Sequence, residues 1–187
     1  MKIVLASASP RRLSLLSARG YDITVKASDF DESTVDEKNP KKLVMRLARG
    51  KGEDVAGDYP DDIVLSADTV VCLDGKILGK PKTEREAFDM LSSMSGNTHV
   101  VYTGVCIKKG TKSYVFYDKA KVTFHPLTKK QIDAYIATKS PFDKAGAYGV
   151  QDDMGIAFVK KVAGDLSCVI GLPMGKVIDC LRKLEGE

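Results

Sequence analysis

Cysteine and histidine are scarce in this chain, four and two among 187 residues. Cys72, Cys106, Cys168 and Cys180 lie far apart and form no C-x-x-C pair. With only His99 and His125 beside them, they are poor material for a zinc site. Three of the cysteines sit in apolar runs, so buried free thiols in a reducing compartment are expected. Long apolar runs are missing as well, since no stretch approaches the roughly 18–20 residues of a membrane span. The N-terminus offers an apolar run of about five residues before Arg11 and Arg12, short of the roughly 7–15 of a secretory signal. A cytoplasmic protein with no membrane partner is the expectation. Nor is there a strong excess of one charge: 29 basic against 25 acidic residues leave a formal +4. That balance suits a small polyanion. With no aromatic-basic interleaving and no basic stripe, it does not argue for nucleic acid. Repeats, low-complexity tracts and linkers are absent too. A composition of 43% hydrophobic and 29% charged residues fits one globular domain over residues 1–187, or two closely joined lobes, with a sizeable core.

What is present is an alternation of strand and helix signals. A buried strand at Ile3–Ala6 runs into Ser9-Pro10, where Ser9 offers an N-cap and Pro10 suits the first helical position; Gly20 stops the helix. Asn39-Pro40 repeats the start signal for a helix to about Ala56. Ile63–Leu73 has strong β-propensity, and Asp74-Gly75 turns it back through Ile77 and Leu78. Thr83 caps a helix carrying Ala87, Phe88, Leu91 and Met94. Two long strands follow, His99–Ile107 and Tyr114–Phe124, and then a capping box at Thr128 and Gln131. A strand over Ile156–Val159 and a C-terminal helix with Val177, Ile178, Leu181 and Leu184 complete an α/β fold. Its hairpins require a mixed sheet.

Several residues stand out against this frame. Ser7, Ser9, Arg11 and Arg12 gather at a strand-to-helix joint, where free N–H groups and the helix dipole favour an anion. They read either as a phosphate cradle without a Gly-rich loop or as a capped surface helix with solvated arginines. Lys51 falls in the middle of the apolar arc Leu43, Val44, Leu47, Ala48 and Val55. It must meet a carboxylate, a phosphate or open water, or else snorkel at the helix end. Asp68 lies inside a strand that reads as buried on both faces, and calls for a metal, a lysine or a place at the sheet's rim. Lys80 sits on a rigid Gly-Lys-Pro turn, which by itself is ordinary surface chemistry. Among Asp29, Asp31, Glu32, Asp36 and Glu37, one or two at most are expected to bind a hard divalent cation, the rest being solvated. His99 and His125 read as strand residues with satisfied hydrogen bonds. Gly146–Gln151 and Gly171–Pro173 are glycine-punctuated loops, and Gln151 carries both a donor and an acceptor suited to a base edge.

The segments Leu5–Arg12, Asp31-Glu32, Leu47–Lys51, Ala67–Val71, Gly79–Pro81, His99–Val105, Lys144–Gln151 and Val169–Pro173, in that order across nearly the whole chain, resemble the Maf family of nucleotide pyrophosphatases. The resemblance implies a long mixed sheet flanked by helices in two lobes around a central cleft, similar to the inosine-triphosphate pyrophosphatases, and often a homodimer. It implies that Ser7, Arg11, Arg12, Glu32, Lys51, Asp68, Lys80 and Gln151 carry the activity. Arg11 after Pro10, and Gln151 itself, match the group acting on dTTP and UTP rather than the 7-methyl-GTP group. The expected reaction cleaves a nucleoside triphosphate to monophosphate and pyrophosphate with Mg²⁺ or Mn²⁺. Glu32 and Asp68 would hold the metal, and Asp68, Glu32, Lys51 and Lys80 would do the chemistry. Ser7, Ser9, Arg11, Arg12, Thr69 and Gln151 would bind substrate. The rival expectation is a nucleotide-binding regulator of cell division, for which a water-activating carboxylate would be superfluous.

Overall fold

β1 (Lys2–Leu5) lies inside the sheet, with Ile3, Val4 and Leu5 fully buried. It pairs in parallel with β2 (Asp22–Val25), Ile3 opposite Ile23, and with β3 (Ile63–Leu73), Ile3 opposite Ile63. β3 turns at Asp74-Gly75 into antiparallel β4 (Lys76–Leu78). Beyond β3 follow β5 (Thr98–Lys109), β6 (Lys112–Phe124) and β7 (Val159–Ala163), the last antiparallel to β6. The computed structural model describes residues 1–186. Among these, seven strands form one mixed sheet in the order β2-β1-β3-β5-β6-β7, with β4 beside β3.

The helices are α1 (Pro10–Ser17), α2 (Pro40–Ala56), α3 (Glu84–Met94), α4 (Lys129–Ala137), α5 (Asp153–Phe158), α6 (Leu166–Ile170) and α7 (Met174–Glu185). Local chemistry sets most of their starts. The Asn39 side chain accepts from the Lys41 and Lys42 amides, Thr83 accepts from Glu86, and Thr128 with Gln131 closes the capping box.

The chain divides into two compact units, each discontinuous in sequence. Unit 1 comprises residues 1–69, 103–118 and 171–187, and unit 2 comprises 70–102 and 119–170. Unit 1 buries Ile3, Leu5, Leu16, Leu65, Ile107 and Leu181 together. In unit 2, Leu91, Met94, Phe124, Ile132, Tyr135 and Phe158 share a core, with Phe124 edge-on to Tyr148 at 4.7 Å between ring centres. Each such side chain stabilises its unit by about 1.5–3 kcal/mol through burial.

Four local expectations need correction. The run over Ile156–Val159 is not a strand at its start. The Ile156 amide donates to the Asp152 carbonyl at 2.8 Å, so residues up to Phe158 form α5, and only then does β7 begin. Ile156 is 54% exposed, and its apolar character therefore marked no core position. Ser9 occupies the N-cap of α1, but its hydroxyl makes no cap bond; Ser7 Oγ accepts from the Ser9 amide instead. His99 is buried with Nε2 bonded to Tyr148 at 2.6 Å, while its Nδ1 has no hydrogen-bond partner. His125 lies just past β6 and is exposed. The short strand β2 and the helix α6, where the Ser167 amide bonds to Asp165 Oδ1, went unforeseen. All four cysteines are free, and Cys106, Cys168 and Cys180 are buried. No helix of the described residues is long and apolar enough to cross a membrane.

Candidate functional site

Unit 1 assembles two of the predicted groups, and they meet at the neighbouring residues Asp68 and Thr69 of β3. The first group depends on how closely α2 lies against the strands. Gly104 on β5 has no room for a side chain, since a Cβ there would come within 2.3 Å of the Val44 carbonyl. A Cβ at Gly52 would come 2.8 Å from Ser66 Oγ, and Ser66, fully buried, donates to the Ala48 carbonyl at 2.6 Å. Ser66 and Asp68 share a face of β3 by the two-residue period of a strand, and Ala48 and Lys51 share a face of α2. The bond at the first pair therefore sets up the second: Lys51 Nζ donates to Asp68 Oδ1 at 2.6 Å.

The same ammonium pairs with Glu32 Oε1 at 2.8 Å. Lys51 and Asp68 side chains are 14% and 13% exposed, Glu32 56%. The lysine in the middle of an apolar arc has thus met two carboxylates, as its unpaired burial required. Glu32 opens a short 3-10 turn (Glu32–Thr34) whose N-cap is Asp31, bonded to Ser33. Of the other acids in this stretch, Asp31 is spent on that cap and Glu37 on the Asn39 amide.

The second group is centred on Arg12. Its Nε donates to the Gly171 carbonyl at 2.9 Å, one terminal nitrogen to Ser7 Oγ at 3.0 Å and the other to Thr69 Oγ1 at 3.2 Å. Thr69 Oγ1 is also hydrogen-bonded to Thr103 Oγ1 at 2.9 Å. Burial lowers the Arg12 pKa; Asp68 opposes this, the charge of Arg11 adds to it, and Glu32 opposes it. The guanidinium fork is therefore fixed on three sides beside a carboxylate pair.

Arg11 is half-buried on the first turn of α1 next to it. Thr103 and the Gly171 carbonyl were not foreseen as parts of this group. A buried threonine in the apolar run Val100–Ile107 was the available signal for the first. Gly171 has φ +128°, a conformation that favours glycine and turns its carbonyl to Arg12. Lys80 and Gln151 belong to unit 2 and are both exposed. The Lys80 turn is tied down by the Gly146 amide, which donates to the Gly79 carbonyl at 2.9 Å.

Chemically, unit 1 offers two acids aimed at one cationic position and a clamped guanidinium beside them. Among the described residues no cluster of three or more His, Cys, Asp or Glu exists, so a metal held here would take two protein carboxylates at most. Such a set fits a hard cation that completes its coordination with water and substrate phosphates. Convergence of both acids on a single ammonium shows that a positive charge is accommodated between them.

Known proteins supply the kinship. A protein from Bacillus cereus named dTTP/UTP pyrophosphatase is 46% identical over 182 residues, covering 97% of this chain and 95% of its own. One of the same name from Bacillus mycoides is 42% identical over 186 residues, covering 100% and 97%. The Ham1 protein of Staphylococcus aureus superposes with a TM-score of 0.48 at 17% identity, covering 66% of this chain and 72% of that one, and adds nothing to the assignment. Residues 2–184 match the family described as Maf-like protein, and the chain belongs to it.

Proposed function

We propose that this protein hydrolyses dTTP and UTP, and modified pyrimidine triphosphates of the same shape, to the monophosphate and pyrophosphate. The observation that carries the reading is Lys51 bridging Glu32 and Asp68 beside the clamped Arg12. The name shared by the Bacillus relatives supports the substrate class.

A triphosphate brings about four negative charges at neutral pH, and its transfer chemistry depends on positioning and charge stabilisation rather than on a protein nucleophile. Arg12, Arg11, Ser7, Ser9 and the first amides of α1 bind the phosphate chain, and Lys51 and, by family resemblance, Lys80 neutralise it. Asp68 accepts the proton of the attacking water, whose oxygen bonds to the α-phosphorus as the bond to pyrophosphate breaks. Glu32 and Asp68 would hold Mg²⁺ or Mn²⁺, which when bound lowers the pKa of coordinated water and screens the phosphate charge. Gln151 and Thr69 are assigned to the base edge, Thr69 also orienting Arg12 through their shared hydrogen bond.

The test is a panel of triphosphates with Mg²⁺, each reaction resolved into its products. UTP and dTTP should give monophosphate and pyrophosphate, GTP and 7-methyl-GTP far less, and chelation should abolish turnover until metal is restored. Release of nucleoside diphosphate and inorganic phosphate, or no turnover of any triphosphate, would refute the reading.

A further inference from the structure

Unit 2 contains a second buried cation-and-acid group that the proposed chemistry leaves unused. Lys144 Nζ donates to the Ser140 carbonyl at 2.7 Å, to Ser140 Oγ at 2.9 Å and to Asp143 Oδ1 at 2.7 Å. It also pairs with Asp152 Oδ2 at 3.3 Å. Ser140 Oγ donates to that same Asp152 oxygen at 2.8 Å, and the hydroxyl of Tyr135 at 2.5 Å. A lysine bonded to a serine suggests a nucleophilic pair, but the geometry excludes one. The serine proton is committed to Asp152, and the lysine donates to the Ser140 carbonyl, Ser140 Oγ and Asp143, so neither group has a lone pair or proton placed for nucleophilic work.

The position of Asp152 explains the arrangement better. It is the N-cap of α5, where an aspartate ordinarily accepts from the amides of its own helix. Here its side chain makes no cap bond, and Tyr135, Ser140 and Lys144 take it instead. The Asp152 amide donates to the Gly149 carbonyl at 3.2 Å, closing a four-residue turn with Val150 and Gln151 at its centre. The Gly149 amide in turn donates to the Tyr135 hydroxyl at 3.1 Å. One phenol therefore grips both ends of the turn that carries Gln151. Helix α5 presses on the same point, since a Cβ at Gly155 would come 2.2 Å from the Gly149 carbonyl and 3.2 Å from the Tyr135 hydroxyl. The ring of Tyr135 is fixed independently, buried and edge-on to Phe158 at 5.2 Å.

We infer that Tyr135 is a positioning residue for base discrimination, its hydroxyl fixing the Gly149–Asp152 turn so that the exposed Gln151 presents its amide in one orientation. The inference rests on the assignment of Gln151 to the nucleotide base. A hydrogen-bonding site rejects the wrong partner only when its groups are held in place, because a loose turn can re-aim them.

The experiment compares Tyr135→Phe and Gln151→Ala with the parent protein, reading kcat/KM for UTP and for GTP together with hydrogen exchange at the Gly149 amide. Tyr135→Phe keeps the ring and removes the clamp. Its UTP-to-GTP ratio should fall about tenfold, the scale of one misaligned polar contact, and Gly149 should lose protection. A folded Tyr135→Phe with the parent ratio, while Gln151→Ala shifts it, would overturn the clamp and leave the base contact standing. An unchanged ratio in Gln151→Ala would instead remove the base contact, and the clamp's purpose with it. Should Tyr135→Phe not fold, Asp152→Ala against Asp152→Asn decides the matter, because asparagine retains an acceptor for the phenol. A ratio lost in the alanine variant and recovered in the asparagine one supports the clamp. A parent ratio in the alanine variant overturns it.

Discussion

Two lysines in this molecule each meet two acids, and their surroundings differ. In unit 2, Lys144 is 8% exposed and holds Asp143 and Asp152, yet it also donates to a main-chain carbonyl and a serine hydroxyl. Its acid Asp152 already accepts hydrogen bonds from Tyr135 and Ser140. Lys144 and Asp152 are thereby committed to the fold. In unit 1, Lys51 touches Glu32 and Asp68 alone, and among the described residues Asp68 receives no other side-chain donor. Asp68 keeps lone pairs to offer, whereas Asp152 spends its on Tyr135, Ser140 and Lys144. A buried charge is therefore weak evidence of a site by itself. What separates chemistry from scaffolding is whether its partners are otherwise satisfied.

Exchanging each lysine for a methionine puts this contrast at risk. Lys144→Met takes the cation from the part-buried Asp152 and the donor from the Ser140 carbonyl, and removing one partner of a buried pair costs about 3–5 kcal/mol. That is a large part of the 5–15 kcal/mol that holds a domain together, so urea unfolding should shift markedly or the variant should not fold. Lys51→Met takes the lysine from Asp68 but leaves that acid the charge of Arg12 beside it, and no main-chain group loses a partner. It should fold and bind triphosphate poorly. A Lys144→Met variant of parental stability would break the comparison.

Acid should sharpen it, because unit 2 also buries a neutral imidazole. Burial holds the His99 pKa at about 4, against 6.5 for an ordinary histidine. Between those values the unfolded chain binds a proton that the folded chain refuses, so stability falls as pH drops through this window. The loss amounts to about 3 kcal/mol and is complete below pH 4. Unfolding midpoints at pH 7 and pH 4.5 should differ accordingly, and His99→Phe should flatten that slope. An identical slope in the variant would show that other groups carry it.

Much of this was readable from residue types and spacing. Helix starts were legible where a side chain caps the backbone, as at Asn39, Thr83 and Thr128, because that chemistry is local. Lys51 and Asp68 were legible because their apolar surroundings demanded a partner. The spacing could not say that the partner was each other, since that depends on Gly104, Gly52 and Ser66 bringing α2 close to β3. Arg12 was visible at its helix start, but its holders, Thr103 and the Gly171 carbonyl, are distant in sequence. The failures share one cause. Ile156 reads as the start of a strand from its own β-propensity, and Ser9 as a cap from its position, but α5 runs through the first and Ser7 takes the amide of the second. Tertiary partners decided both.

The central claim is that Asp68 is there to accept a proton, with Lys51 and Glu32 arranged around it. Turnover of UTP by Asp68→Asn, measured with its thermal unfolding, tests this most directly. Asparagine keeps the shape and removes the charge, so kcat should fall at least about 10²-fold, the scale of a lost general base, with unfolding close to that of the parent. Parental turnover in a folded Asp68→Asn protein would contradict the account.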